Sequence, residues 1–384
     1  NTKAVVRACI FADNHASQRG ALFAKDETIT LVDCLFKHNR GDRGGALALA
    51  GSCSATVGNS SFLGNDAASS GGALYLYDTS SATIAATKFV HNHAHQTGGA
   101  LAATGSGILS MVNSLFNFNR TGGMYCDIDC DASTRSCSLT NVTMVNGRSQ
   151  EGKTCRFEGT AAVINSIVDG KIAFHPDRPP TAHHNYSPED WSSLGVQNIS
   201  LKPTLTSAGY PLAGSSCINA GTAVGAPSKD MDGTNRPVGP ATDMGCYEFL
   251  DSDLDGIPDF VESSSGLNPN SAADSVLDAD ADGISNFDEY VLGLNIANAD
   301  SDGDGISDGA ELAAGYAPTL FTRIVHVSPS GDDANDGLGA ASAKKSLKAA
   351  ISLSKTNHEN IILVAAGTYS GADNRNLDFG GYDI

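Results

Sequence analysis

The hydrophobic positions in residues 1–170 follow two periods. Over short distances apolar and polar residues alternate, as in Thr28-Ile29-Thr30-Leu31-Val32, and turn residues separate these segments. This alternation predicts short β-strands. Over longer distances a phenylalanine recurs at intervals of 25, 26, 27 and 27 residues, and an asparagine follows three residues after each. The pairs are Phe11 and Asn14, Phe36 and Asn39, Phe62 and Asn65, Phe89 and Asn92, and Phe116 and Asn119.

A second landmark, Gly-Gly-Ala-Leu, follows several of these pairs, at 44–47, 71–74 and 98–101. A repeat of this length cannot bury its apolar face alone, so we expect the copies to stack as parallel coils about 4.8 Å apart. The phenylalanines should fill the interior, and the asparagine amides should bond from coil to coil at a turn. The paired motifs resemble the repeats of polymorphic outer-membrane proteins. That resemblance implies an all-β fold, a right-handed parallel β-helix of the pectin-lyase-like kind.

The repeat fades towards residue 170, where Gly147 and Gly170 replace the expected asparagines. Residues 171–250 contain more proline and no repeat, which predicts an irregular cap over the end of the solenoid. The stretches 212–221, 232–237 and 243–248 are similar to the closing segment of secreted bacterial β-helix proteins.

The chain has nine cysteines, which favour an oxidising compartment. Four of them cluster with spacings that fit no usual zinc pattern, so we expect disulfides, with three pairings open. These four are Cys126, Cys130, Cys137 and Cys155. A bridge between Cys217 and Cys246 is a further hypothesis. Cys9 and Cys34 lie two residues before a repeat phenylalanine, where small residues should stack inside as packed thiols.

Residues 251–311 contain 16 Asp or Glu and no Lys or Arg. One twelve-residue pattern occurs three times in this segment, at 251–262, 278–289 and 300–311. Glycine stands at position 6 and glutamate at position 12 of each copy. A Ca²⁺ loop takes oxygens from positions 1, 3, 5, 7, 9 and 12. The alternative is an acidic solvated linker. The predicted ligands are Asp251, Asp253, Asp255, Ile257 (carbonyl), Asp259, Glu262, Asp278, Asp280, Asp282, Ile284 (carbonyl), Asn286, Glu289, Asp300, Asp302, Asp304, Ile306 (carbonyl), Asp308 and Glu311.

The loops start 27 and 22 residues apart, which is too short for a full helix on each side of every loop. The segment 251–311 resembles the bacterial thrombospondin type 3 repeats. That resemblance implies a calcium-binding spacer in an extracellular protein. Without cations such an acidic segment should repel itself, so calcium binding and folding should be coupled.

The pattern of residues 323–384 predicts a strand, a polar loop, an amphipathic helix and a second strand, followed by a further turn at 376–381. The order resembles the opening of a pectate-lyase-like β-helix. We therefore expect four regions: coils at 1–170, a cap at 171–250, the calcium spacer at 251–322 and the start of a second β-helix at 323–384. The chain should be an internal fragment of a longer protein.

The candidate chemistry is sparse. Asp13, Asp33, Asp42 and Asp66 with Arg40 and Arg43 could form a lyase site, although no positional repeat aligns them, and solvated turn charges are the alternative. His91, His93 and His95 alternate and could share a strand face that holds a transition metal, the alternative being an exposed loop.

We expect a secreted or surface-displayed bacterial protein with a structural or adhesive role and a polysaccharide or cell-surface glycan as partner. The competing hypothesis is a lyase acting on acidic polysaccharides. A net charge of −19 argues against nucleic-acid binding. No run of about 18 apolar residues predicts a membrane span.

Overall fold

The computed structural model describes residues 3–132, 134–319, 323–337, 339–354 and 360–377. These residues fall into two compact units, Asn1–Ala272 and Ala273–Ile384. The strands of the first unit are β1 (Lys3–Arg7), β2 (Ile10–Ala12), β3 (Leu22–Lys25), β4 (Thr28–Val32), β5 (Leu35–Lys37), β6 (Arg40–Arg43), β7 (Leu47–Ala50), β8 (Ser54–Gly58), β9 (Ser61–Leu63), β10 (Asp66–Ser70), β11 (Leu74–Leu76), β12 (Ser81–Ala85), β13 (Lys88–Val90), β14 (His93–Ala94), β15 (Leu101–Ala103), β16 (Gly107–Asn117), β17 (Arg120–Thr121), β18 (Tyr125–Cys130), β19 (Arg135–Val145), β20 (Lys153–Phe157), β21 (Thr160–Ile164), β22 (Ile167–Val168), β23 (Lys171–Phe174) and β24 (Thr181–His183).

These strands form three parallel sheets that wind into a solenoid of about six turns. Sheet A has two columns, β1-β4-β8-β12-β16 and β2-β5-β9-β13-β16, which merge because β16 and β19 are each 11 residues long. Sheet B has the order β17-β14-β10-β6, and sheet C runs from β23 through β20, β18, β15, β11 and β7 to β3. Each strand pairs with its equivalent in the next coil. The predicted all-β solenoid is confirmed.

The repeat phenylalanines form one continuous stack inside the coils. The ring centroids of Phe36 and Phe62 are 4.7 Å apart, and those of Phe62 and Phe89 are 4.9 Å apart. Both ring pairs are within 3° of parallel, and all three side chains are fully buried. The spacing equals the distance between neighbouring strands of a sheet, so the backbone register sets the stacking distance.

The repeat asparagines form a hydrogen-bonded ladder at the turn between sheets A and B. The side-chain oxygen of Asn92 accepts from both the backbone amide (3.0 Å) and the side-chain amide (2.9 Å) of Asn65. In the same way the side-chain amide of Asn92 donates to the side-chain oxygen of Asn119 at 3.1 Å. At the end of the ladder the side chain of Asn119 donates to the buried carboxylate of Asp127 at 2.9 Å. Asp127 thus takes the place of the next asparagine.

The double glycines form the corner between sheets B and C. A side chain on Gly45 would come within 2.3 Å of the carbonyl oxygen of Gly72, and one on Gly72 within 2.0 Å of that of Gly99. Successive backbones are therefore in contact at this corner, which explains why the motif contains glycine there.

The coils continue beyond the boundary predicted at residue 170. β24 pairs with β21, and bridges link Ile167, Tyr186 and Ile199. Two new asparagines, Asn185 and Asn198, sustain this extension, since Asn185 donates to Asn198 at 3.1 Å. These asparagines lie outside the earlier repeat pattern.

The segment that follows lies along the side of the coils, whereas the sequence predicted a cap over their end. Asn113 donates to the Lys229 carbonyl at 2.6 Å, and Asn141 donates to the Gly245 carbonyl at 3.1 Å. A buried ion pair between Arg236 and Glu248, at 2.5 Å, holds the segment together. Its contacts include the side chains of Asn113 and Asn141, which lie in the left-handed conformation within β16 and β19.

The three acidic loops are each followed by one short helix. In the first unit this is α1 (Asp259–Ser265), and in the second unit α2 (Asn286–Leu292) and α3 (Asp308–Ala314). Each ends at a glycine in the left-handed conformation, with φ of 79°, 73° and 80°. Within the described residues a single seven-residue helix lies between successive loops, so no loop has two helices of its own, in agreement with the spacing argument.

The second unit ends in β25 (Arg323–Val327), η1 (Ala340–Ser342), α4 (Leu347–Ser354), β26 (Asn360–Val364) and η2 (Ala372–Asn374). β25 and β26 pair in parallel, and Ala350 of α4 packs against Val325 and Val327. This matches the predicted order of strand, helix and strand. The turn predicted at 376–381 lies mostly outside the described residues.

Candidate functional site

The three acidic loops share one backbone conformation. Their position-6 glycines have φ of 99°, 100° and 95°, so the predicted sharp turn is present in each loop. Position 4 is also left-handed, at Leu254 (66°), Ala281 (66°) and Gly303 (79°), which the motif did not indicate.

The first aspartate of each loop fastens this turn. One oxygen of Asp251 accepts from the amide of Leu254 at 2.7 Å, and its other oxygen accepts from that of Gly256 at 3.0 Å. Asp278 and Asp300 make the same two bonds within their loops, at 2.8 to 2.9 Å. The loop is therefore shaped by its own carboxylates.

The aspartates at positions 1, 3 and 5 converge in every loop. Their ligand atoms lie within 4.8 Å of one another in each of three sets, 251/253/255, 278/280/282 and 300/302/304. Position 3 uses only one oxygen for the loop amides. The second oxygen is buried and has no hydrogen-bond partner within the described part of the chain in Asp253, Asp280 and Asp302.

The position-12 glutamates add the strongest constraint. Glu289 and Glu311 are fully buried, and neither oxygen of either side chain has a hydrogen-bond partner among the described residues. Burial, with the neighbouring Asp280 and Asp282, raises the pKa of Glu289 to about 8. Burial and the neighbouring aspartates raise that of Glu311 to about 8 as well. In the first loop the ligand atoms of Glu262 and Asp255 lie within 4.8 Å of each other.

These residues fit a hard dication. Ca²⁺ takes six to eight oxygens, including a bidentate glutamate at position 12. A buried carboxylate without a partner is costly, and a bound cation would offset that cost. The buried oxygens without a hydrogen-bond partner among the described residues, on Asp253, Asp280, Asp302, Glu289 and Glu311, belong to positions 3 and 12, which the loop motif assigns to the ion.

Position 9 has a different role in the structure. Both oxygens of Asp259 accept from Ser252, at 2.7 Å from its amide and 2.6 Å from its hydroxyl. Asp308 bonds Ser301 in the same way, at 2.9 and 2.5 Å. Asn286 accepts from the amide of Ala279 at 3.0 Å. The side chain at position 9 thus ties the helix start to position 2, and ligation through water stays a prediction.

The position-7 residues Ile257, Ile284 and Ile306 follow the turn glycines, and their amides donate to the position-5 aspartates at 2.8 to 2.9 Å. The side chain of Ile257 is fully buried. It anchors the loop while its carbonyl remains the predicted ligand.

A row of charged residues follows sheet B along the coils. Strand register places Arg40, Asp66, His93 and Arg120 at equivalent positions, and bridges extend the row to His15 and Arg148. Arg40 Nε lies 3.2 Å from Asp66 Oδ2, and His93 Nδ1 lies 2.7 Å from Asp66 Oδ1. Each residue of this row directly follows a repeat asparagine, or Gly147 in the case of Arg148, so the repeat itself carried the signal for this alignment.

The comparisons with known proteins bear on the coils. Residues 1–139 match the family model described as a right handed beta helix region. The coils form a right-handed parallel β-helix. Neither the curated proteins nor the solved structures contain a match to this chain. None of the described helices is both long enough and apolar enough to cross a membrane.

Other candidate acids of the β-helix do not join the row. Asp13 lies 3.8 Å from His38, Asp33 accepts from Asn59 at 2.6 Å, and Asp42 lies 3.9 Å from Arg43. Of the predicted lyase set, Asp66 pairs with Arg40 across neighbouring coils, and Asp42 pairs instead with its sequence neighbour Arg43.

Cations of the β-helix also lie over aromatic rings near the B–C corner. The Arg19 guanidinium is 4.0 Å from the ring centre of Phe23, and that of Arg43 is 5.6 Å from the ring centre of Tyr75. Arg156 binds Asp129 at 2.6 Å. Each of these guanidinium groups is paired within the protein, with a ring or with a carboxylate.

The three alternating histidines do not share a face, contrary to the hypothesis. His91 is in the left-handed conformation (φ 54°), so the chain turns there and the strand alternation is broken. Its ring stacks on Phe118 at 4.9 Å, and burial, with Arg120 nearby, lowers its pKa to about 4. His93 and His95 instead meet Asp66.

The expected disulfides are absent, and all nine cysteines are free thiols. Cys217 packs with Tyr186, whereas Cys246 lies in a separate cluster with Tyr247, so the proposed bridge between them is wrong for this structure. The four clustered cysteines are buried in the β-helix interior or beside it. Cys155, for example, lies 3.2 Å from the sulfur of Met144. The thiols of Cys130 and Cys137 are hydrogen-bonded to each other, and this contact, with burial, raises the pKa of Cys130.

Proposed function

We propose that this chain is part of a secreted or surface-displayed bacterial protein in which calcium-binding loops accompany a β-helix with a structural or adhesive role. The observation that carries the calcium assignment is the pair of fully buried glutamates, Glu289 and Glu311, whose oxygens lack partners within the described residues. The threefold repetition of the loop conformation supports it. Calcium would supply the positive charge that these loops lack, and the thrombospondin type 3 likeness suggests a spacer.

Calcium titration of the full chain by calorimetry tests this proposal. We expect saturable binding of up to three Ca²⁺ ions, one per loop, and much weaker binding of Mg²⁺, which demands a tighter octahedron. Absence of calcium binding at millimolar concentration would leave the loops as an acidic linker and refute the proposal.

The adhesive role would use the β-helix surface and a glycan partner. The row on sheet B and the cations over Phe23 and Tyr75 provide charged and aromatic groups on adjoining faces. Retention of one glycan from a panel of acidic and neutral polysaccharides, without product release, would support adhesion.

A polysaccharide-active enzyme is the second candidate, and one observation favours it. The Asp66–His93 hydrogen bond, at 2.7 Å, lies between Arg40 and Arg120 in one row. An oriented imidazole between guanidinium groups could abstract a proton beside a uronate carboxylate. Unsaturated oligosaccharides released by the wild type and lost in His93→Gln, but not in His91→Gln, would establish a lyase. Equal activity in both variants would exclude this row.

A further inference from the structure

The β-helix brings together two imidazoles and one carboxylate that are far apart in sequence. One ligand atom each from Asp66, His93 and His95 lies within 4.8 Å of the other two. These residues combine nitrogen and oxygen ligands, whereas each acidic loop offers only oxygens. This cluster is therefore a different kind of site from the calcium loops.

Strand register explains the convergence. Asp66 of β10 pairs with His93 of β14 in the next coil, so their side chains stand side by side on sheet B. Ala94 is fully buried and points inward. Because successive side chains of a strand alternate, His93 and His95 both point outward beside Asp66.

The distances suit a shared ion. His93 Nδ1 is 2.7 Å and His95 Nε2 is 3.8 Å from Asp66 Oδ1. Two ligand atoms of one tetrahedral Zn²⁺ ion lie about 3.4 Å apart when each bond is about 2.1 Å long. The two separations lie on either side of this value, and all three ligand atoms are within 4.8 Å of one another, so side-chain rotations that move each atom by about 1 Å would bring them to it.

The surroundings hold the carboxylate in place. Asp66 is only 5% exposed, and Arg40 Nε lies 3.2 Å from its Oδ2, on the oxygen that does not face the imidazoles. This ion pair restricts the orientation of the carboxylate. His95 is exposed, which leaves an approach from solvent for the ion and for a further ligand.

We propose that Asp66, His93 and His95 form a binding site for a divalent transition metal of the zinc class on the outer face of the β-helix. Imidazole with one carboxylate suits Zn²⁺, Co²⁺, Ni²⁺ or Cu²⁺ and does not suit Ca²⁺. The three protein ligands leave at least one position for water or for an oxygen of a ligand.

The test is a titration of the full chain with Co²⁺ in millimolar calcium, which keeps the acidic loops occupied, followed by visible absorption spectroscopy and by Zn²⁺ competition calorimetry. We expect one Co²⁺ per chain, displaced by Zn²⁺. His93→Gln and Asp66→Asn should each weaken binding by more than about 100-fold, because changes to outer residues alone cost about 10- to 100-fold. His91→Gln is the matched control and should bind as the wild type does, since His91 stacks on Phe118.

Several outcomes would overturn the site. These are absence of cobalt binding in calcium, unchanged affinity in His93→Gln, or an equal loss in His91→Gln. A thiolate charge-transfer band in the near ultraviolet would assign the metal to a cysteine instead. Circular dichroism of each variant separates a lost ligand from a lost fold, and Arg7→Gln, remote from the row, controls for removal of a polar surface group.

Discussion

The coils and the acidic loops both repeat, but their repeats are stabilised in opposite ways. In the coils each Phe stacks on its own copy and each Asn bonds to its own copy, so the repeat satisfies itself. In the loops the repeated side chains are carboxylates, and copies of one charge cannot satisfy each other. Their hydrogen bonds go to loop amides, and the buried oxygens of Glu289 and Glu311 are left over. Repetition thus stabilises a neutral residue directly and a charged residue only with an external partner.

Calcium removal should give the largest contrast between the two regions. When the free calcium concentration is 100 times the Kd of a site, binding at that site contributes about 2.7 kcal/mol to the free energy of unfolding. The loss of two or three such sites therefore exceeds the effect of most single substitutions. We expect chelation to expose 251–311 to proteases while the β-helix stays resistant. Limited proteolysis with mass spectrometry of the fragments measures this, and equal digestion with and without chelator would contradict it.

The interior stack can be broken by Phe62→Ala. Truncation of a fully buried phenylalanine costs about 3–5 kcal/mol in stability, and here it also removes the stacking contacts with Phe36 and Phe89. Urea unfolding monitored by circular dichroism should show this loss, with calcium affinity unchanged. Phe23→Ala is the control, because Phe23 is 38% exposed and should cost much less. Similar losses in both variants would mean that the stack contributes nothing specific.

Glu289→Gln should act in opposite directions with and without calcium. Loss of a bidentate ligand should weaken binding at that loop by about 10- to 100-fold, or about 1.4–2.7 kcal/mol. In chelator the variant should be more stable than the wild type at pH 9. The pKa of Glu289 is raised from 4.5 to about 8, so the metal-free loop loses stability as pH rises through that interval. Glutamine avoids this loss.

Asp288→Asn is the matched control for this pair of measurements. It removes the same charge from the neighbouring residue, which is exposed and bonds Ser285. Its calcium affinity should stay within about twofold of the wild type, given the small effect of exposed charges. A loss equal to that of Glu289→Gln would assign the effect to net charge and not to ligation.

The smallest effect is expected at the end of the asparagine ladder. Burial raises the pKa of Asp127 from 3.8 to about 7, so its ionisation destabilises the fold as pH rises from about 4 to 7. Asp127→Asn should stabilise the β-helix at pH 8 and have almost no effect at pH 3.5. Asp129→Asn is the contrast, because Asp129 is paired with Arg156 and its loss should destabilise. Urea midpoints at the two pH values decide this.

The periodic parts of the fold could be predicted because a solenoid converts a sequence interval into a contact. Asn65 and Asn92 are 27 residues apart and bond directly, so the interval alone located both the interior and the turn. The position-6 glycines were equally readable, since few residues other than glycine tolerate φ near 100°.

Contacts between residues outside the repeat could not be predicted. Asn113 and Lys229 are 116 residues apart with no periodic signal, so the placement of the segment after residue 199 was missed. The convergence of Asp66 with His93, by contrast, could be predicted from the repeat, because these residues directly follow Asn65 and Asn92. The hydrogen bonds that Asp259 accepts from Ser252 could not be predicted, because an aspartate can either coordinate a metal ion or accept a hydrogen bond.

The self-pairing of the coil residues has a consequence for how such a chain can change over generations. Every rung of the asparagine ladder joins equivalent positions, so an added copy of residues 66–92 would meet the same donors and acceptors on both of its sides. Copying errors that duplicate or delete one whole unit should therefore yield foldable proteins, whereas errors of a few residues should not. The length of the β-helix would then be a heritable trait that varies in steps of one coil.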